Sequence, residues 1–290
     1  MSIIRIELPV GTAIVSSLLI ALASPSVAVA EGPSAQQITQ DEADKTGTNP
    51  VNFARDLRVY NEYSWLNTDE DGGQNVTTLE YRQAILGGRW QFRSRVRYSA
   101  LKVDGGGGTP RVEETGLGDA DFRLIKKPWF KGANAFTIGA EFFLNTASED
   151  ALGSGTTALS PQVYYARFFG KNPIPFYGGG GLFAPGLQYR RSVYEDTGRA
   201  ETNQVVVDLN FLVMAPDKTR WLFLNPQIVI DRETKAEYAL LDVEFGFMMQ
   251  KWFPDLKGQS FYIRPSATVG AGSDRPTDAG IEFGYKFVGW

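Results

Sequence analysis

The ten residues from Arg89 to Tyr98, RWQFRSRVRY, place Arg89, Arg93, Arg95 and Arg97 at alternate positions, with Gln91 completing the series. Trp90, Phe92, Ser94, Val96 and Tyr98 fill the positions between. Side chains of a β-strand alternate between its faces, so four guanidinium groups would share one face and a mostly apolar row the other. Arg82 precedes this ladder and Arg123 follows it, both in segments that alternate in the same way. Carboxylates stand on matching positions, Glu80, Asp119 and Asp121 near the arginines and Asp208, Asp231, Asp242 and Glu244 further along. Charge is what these groups bring to a wall. They steer or hold charged solutes, or they pair with one another and stiffen a wall, and both uses are open for this ladder.

Other chemistry is excluded by composition. The chain has no Cys and no His, which removes thiolate chemistry, disulfides, Ser-His and Cys-His hydrolases, His-ligated zinc and the commonest general base. The expectation is no catalytic residue, no metal site and no cofactor, hence not an enzyme. A formal net charge of −4 argues against a nucleic-acid partner. Asn67 to Gly73, NTDEDGG, has an Asp-x-Asp-Gly but no distal Glu and reads as a solvated loop. Tyr177 to Gly181, YGGGG, lacks the Lys-Ser/Thr of a phosphate loop and reads as a bend in a strand.

The elements that must position these charges follow from patterning. Residues 1–30 have a short head, an apolar run and the small-residue end Ala28-Val29-Ala30, the layout of a secretory signal peptide cleaved before Glu31, with a single N-terminal membrane anchor as the rival reading. Residues 31–54 are polar, acidic and aperiodic, and read as a flexible periplasmic leader. From residue 55 to 290 the sequence alternates. Twelve segments emerge: 55–66, 77–86, 89–101, 118–127, 134–145, 157–169, 174–184, 203–214, 220–231, 237–249, 260–271 and 278–287. No window after the signal holds the ~18 apolar residues of a membrane-spanning helix, whereas segments of about ten residues suit tilted strands crossing a bilayer.

Long breaks after the first, third, fifth and seventh segments (67–76, 102–117, 146–156, 185–202) alternate with mostly tight ones such as Gly87-Gly88. This is the rhythm of an up-and-down barrel with long loops outside the cell and short turns in the periplasm. Trp90, Trp129, Trp221, Trp252 and Trp290 fall at or next to the ends so assigned to the periplasm, where amphipathic aromatics collect at a membrane interface. Apolar rows such as Val205, Val207, Leu209, Phe211 and Val213 would face lipid, and Gln204, Asp208 and Asn210 the lumen. Pro161, Pro175, Pro226 and Pro265 lie inside the segments and predict bulges, because a closed barrel has no free edge to excuse a missing N–H.

The C-terminal IEFGYKFVGW, with Ile281, Phe283, Tyr285 and Phe287 on one face, resembles the closing strand of bacterial outer-membrane barrels. The stretches TGLGDADFRL (Thr115 to Leu124) and LNTASEDALGSGTTALSPQV (Leu144 to Val163) resemble the outer-membrane transporters of the phenol-degradation (MetA-pathway) family. In that family a Gly-Leu-Gly-Asp opens a strand and an LGxG stretch precedes a strand containing Pro. Asn145-Thr146-Ala147 departs from its usual Pro-Thr-Gly. The resemblance implies transport of small compounds, aromatic ones among them.

The reading is an all-β, transmembrane, up-and-down antiparallel barrel of about twelve strands in the outer membrane. It is a monomer that meets lipid, lipopolysaccharide and the barrel-assembly machinery, and it passes or binds small solutes, aromatic or anionic compounds included. The rival is a structural or surface-interaction barrel with a plugged lumen. The lumen is expected to carry a basic wall of Arg82, Arg89, Arg93, Arg95, Arg97 and Arg123, about three charges positive after Glu80, Asp119 and Asp121. The opposed Asp208, Asp231, Asp242 and Glu244 are expected to have no inward base.

Overall fold

In the computed structural model, which describes residues 50–51, 53–67, 72–104, 111–270 and 276–288, alternation runs through thirteen strands. They are β1 (Asp56–Leu66), β2 (Gly72–Ile85), β3 (Trp90–Val103), β4 (Val112–Leu117), β5 (Asp121–Lys131), β6 (Asn134–Phe143) and β7 (Thr156–Phe169). β8 (Gly181–Glu195), β9 (Asn203–Met214), β10 (Arg220–Asp231), β11 (Glu237–Met248), β12 (Gln259–Gly270) and β13 (Thr277–Val288) follow. Each pairs antiparallel with its neighbours, and β13 returns to β1 through Asp56↔Val288 to Leu66↔Thr277. β4 and β5 both pair with β3, at Tyr98↔Leu117 and Arg95↔Asp121. They therefore share one position in a closed ring of twelve staves. The signal sequence 1–30 and Trp290 lie outside the described residues.

Twelve strands spaced ~4.8 Å apart and tilted by roughly 40° give a backbone diameter of about 24 Å. One end, the base, carries residues 50–51 and 53–55, the end of β13 and the connections 86–89, 132–133, 170–180, 215–219 and 249–258. The mouth carries Asn67, Asp104, Pro276 and the connections 144–155, 196–202 and 232–236. Outward positions expose large apolar side chains all around, among them Val59, Leu79, Val96, Ile138, Leu187 and Phe283, with Trp129, Phe130, Trp252 and Phe253 near the base. Inward positions are polar and buried, including Thr78, Glu80, Arg93, Asp208 and Glu244. Carrying a charge on the outer face of such a barrel costs about 2–4 kcal/mol at the membrane midplane, and the pattern keeps charges inside.

Three expectations shift. The strand placed at 174–184 is β8, Gly181–Glu195, so 170–180 is a long base connection and most of the expected loop 185–202 is strand. Ala184-Pro185-Gly186 looks like a turn in sequence, yet Pro185 pairs with Leu209 on β9 while its missing N–H faces β7, where the ladder skips from Tyr164↔Gly186 to Arg167↔Phe183. The strand expected at 118–127 starts later, as β5 from Asp121, and part of the expected loop 102–117 is the strand β4, so Gly-Leu-Gly-Asp interrupts a stave where it was expected to open one. Arg89, expected at the foot of the ladder, lies exposed in the turn 86–89, because Gly87 and Gly88 at φ of +68° and +77° end the two-residue period there.

The other prolines obey the same rule as Pro185. Pro161, Pro226 and Pro265 keep partners on one side (Ala140, Leu241 and Ile281), while the opposite ladders skip the pairs around them. Pro175 lies in the base connection, outside any strand.

Candidate functional site

The lumen holds a cavity of about 820 Å³ lined from Pro50 and Phe223 through Arg95, Arg190 and Asp242 to Gly153, Ser154 and Thr202 at the mouth. Towards the base it narrows onto apolar side chains that point inward from six staves. Tyr164, Leu182, Leu212, Met214, Phe223, Met248 and Tyr262 form this layer with Val51, which is 2% exposed and precedes β1. Trp221, expected at the membrane interface, belongs to this layer too and is fully buried. An inward-facing position on β10 takes it off the lipid face. Its indole N–H donates to Glu244 at 2.7 Å.

Glu244 was expected to lack a basic partner. Instead it receives Lys286 Nζ of β13 at 2.8 Å and Arg264 of β12, and Arg264 also reaches Glu282 at 3.2 Å. Lys286 lies 4.2 Å from the Tyr262 ring centre. Next to it around the ring, Arg58 pairs with Asp56 at 3.0 Å and Glu80 at 3.3 Å, and Arg82 with Glu80 at 2.6 Å. On these five staves Arg58, Arg82, Arg264 and Lys286 pair with Asp56, Glu80, Glu244 and Glu282, and Glu62 and Asp242 line the cavity beside them.

The ladder lies on β3, with Arg93, Arg95 and Arg97 inward and Arg123 opposite Arg93 on β5. Arg95 Nε lies 3.0 Å from Asp121, and Arg97 Nη2 2.5 Å from the same carboxylate. Arg93 and Arg95 both bond Glu141 of β6, the second at 2.7 Å. Glu141 escaped the sequence reading, although a lone carboxylate in the apolar run NAFTIGAEFF has nowhere to face but the lumen. Arg190 of β8 was missed because its strand was read as a loop; it lines the cavity with its guanidinium 4.1 Å from the Phe143 ring centre.

The remaining predicted carboxylates have different surroundings. Asp208 accepts from Tyr164 Oη at 2.8 Å and from Gln188, whereas Asp231 accepts from Gln204 at 2.9 Å and caps the turn after β10 through Glu233 and Thr234 N–H groups. Asp242 lines the cavity and makes no hydrogen bond or ion pair among the described residues.

Asp119 is a clasp. Sitting in the gap between β4 and β5, its carboxylate accepts from the N–H groups of Thr146, Ala147 and Ser154 at 3.0, 3.1 and 2.7 Å and from the Ser154 hydroxyl at 2.8 Å. Arg97 donates to its backbone carbonyl at 2.6 Å. A side chain at Gly153 would meet Asp119 Oδ1 at 2.9 Å, and one at Gly116 would meet Ser148 Oγ at 2.2 Å. Gly116-Leu117-Gly118-Asp119 and Leu152-Gly153-Ser154-Gly155, far apart in sequence, are two halves of one contact that folds loop 144–155 over the mouth.

No family model and no curated protein matches the sequence. The fold is similar to that of the COG4313 outer membrane channel from Pseudomonas putida F1, with a TM-score of 0.61 at 12% identity over 81% of this chain and 95% of that one. The KdgM porin in complex with disordered oligogalacturonate and the β domain of the Bordetella autotransporter BrkA give TM-scores of 0.45 and 0.44 at 9% and 10% identity. They cover 80% and 81% of this chain and 98% of their own. The chain is thus a closed twelve-stave antiparallel barrel with an apolar outer face and a polar lumen, the architecture of an outer-membrane barrel.

Proposed function

We propose that the protein is an outer-membrane channel that lets small solutes cross passively, with the base in the periplasm and the mouth outside the cell. The observation that carries this reading is the polar cavity along the lumen, bounded by charged side chains from opposite staves. Passage through it needs no catalysis and no cofactor. The resemblance of its two clasp motifs to the phenol-degradation transporters favours small organic compounds as the solutes. Assembly by the barrel-assembly machinery, loop contacts with lipopolysaccharide and a monomeric state complete the proposal.

Val51 favours the rival reading of a plugged barrel, since it packs within the apolar layer at the base. Planar-bilayer recording on the purified full chain separates the two. The channel reading expects discrete conductance steps, larger by several-fold after residues 31–53 are removed. A barrel plugged by this segment gives no steps in the intact protein and gives them only after the segment is removed.

A further inference from the structure

The inward groups of β3 to β8 do not balance. Arg93, Arg95, Arg97, Arg123 and Arg190 face three carboxylates: Asp121 and Glu141 pair with Arg93, Arg95 and Arg97, and Asp119 takes its hydrogen bonds from neutral groups of the mouth loop. Two positive charges are therefore in excess on these neighbouring staves. The excess falls on particular groups. Among the described residues Arg123 donates to Gln91 at 3.3 Å and makes no ion pair. Arg190 lies face to face with Phe143, and its Nε is buried without a hydrogen-bond partner among the described residues.

We propose that the β5–β8 wall of the lumen is a binding site for small organic carboxylates, centred on Arg190 and completed by Arg123. This rests on the channel reading for its physiological use and deepens it by naming the solute class.

The geometry fits that chemistry. A guanidinium packed on an aromatic ring has its planar fork held in place and its edge turned to solvent, the presentation that accepts a carboxylate through two parallel N–H bonds. Arg123 stands opposite Glu141, Glu141 opposite Ser160, and Arg190 follows on β8 between the pairs Leu159↔Arg191 and Gln162↔Gln188. The two cations are thus three staves apart, about a quarter of the ring. Side chains reaching inward from a radius of roughly 12 Å bring their tips within roughly 8–10 Å of each other, within the range of unscreened charge at physiological salt. A dicarboxylate of four or five carbons would satisfy Arg190 with one end and lie in the field of Arg123 with the other. Glu141 sits between them but is already held by Arg93 and Arg95.

Succinate is the probe. Calorimetric titration of the full chain in detergent should give saturable binding, and succinate in a planar bilayer should block the chloride current with the same dependence on concentration. Arg190→Gln should weaken both at least tenfold and Arg123→Gln by less. Arg190→Lys, which keeps the charge without the fork, should fall between wild type and Arg190→Gln. Arg191→Gln, adjacent in sequence but exposed on the other face, should change neither. No saturable binding by the wild type, or equal affinity in the Arg190→Gln and Arg191→Gln proteins, overturns the site. If Arg190→Gln does not fold, Arg190→Lys decides alone, and wild-type affinity in it overturns the bidentate role. Binding without conductance would sink the channel reading and leave the site standing; conductance without binding would do the reverse.

Discussion

Two stretches of the same lumen wall treat charge in opposite ways. On β1, β2 and β11 to β13 four cations meet four carboxylates, with Lys286 and Glu244 fully buried and the Trp221 indole closing the remaining acceptor. On β3 to β8 five guanidinium groups face three carboxylates, and Arg123 and Arg190, which make no ion pair among the described residues, line the cavity. A compensated network holds staves together, because removing any member strands its partner. An uncompensated one leaves donors for something that is not part of the chain. An arginine row in sequence says neither; the cross-strand partners decide.

The comparison breaks most visibly at Glu244. Replacing it with Ala leaves Lys286 buried without its carboxylate, which should cost about 3–5 kcal/mol. Glu244→Ala should therefore lose the heat-resistant folded band on unboiled gels or unfold at much lower denaturant. A barrel of unchanged stability would show that the compensated side is not structural.

Asp119→Ala tests a smaller effect on the other side. Four hydrogen bonds to one carboxylate are lost at the clasp, and a local loosening of roughly 1.5–3 kcal/mol is expected, confined to loop 144–155. Protease should then cut within 144–155 while the staves resist. The single-channel current should become noisier or larger. Cutting that spares this loop in both proteins would remove the clasp.

Asp217 gives the smallest change, at the base turn after β9. Burial alone would raise its carboxyl, but the Thr219 backbone N–H and hydroxyl and the Lys251 ammonium outweigh it and hold it at about 2. A carboxyl depressed in the folded state stabilises above its unfolded value and loses that contribution as pH falls through its folded value. Asp217→Asn should cost no more than about 0.5 kcal/mol at neutral pH, since the group is exposed, and the difference from wild type should vanish near pH 2. Denaturant midpoints at the two pH values check this.

What the sequence made legible follows from locality. A period of two needs only neighbours along the chain, so the staves and the inward rank of Arg93, Arg95, Arg97 and Arg123 could be read directly. Arg89 failed because a glycine turn resets the period. β8 failed because Ala184-Pro185-Gly186 carries turn chemistry inside a strand, and Arg190 was lost with it. Pairing is set by register between staves and is not local: nothing near Arg93 announces Glu141, and nothing near Glu244 announces Lys286, 42 residues on. Wall charge summed by strand therefore misjudged the side of Glu244.

The excess positive charge of β3 to β8 lines the lumen cavity, and ion selectivity reports it. The most direct measurement is the reversal potential of the wild-type channel under a potassium chloride gradient, repeated with Arg123→Gln/Arg190→Gln. The account predicts chloride preference at 0.1 M, reduced in the double variant and reduced for both at 1 M, where screening acts over about 3 Å. A cation-preferring wild type, or a potential unchanged in a folded double variant, would contradict it.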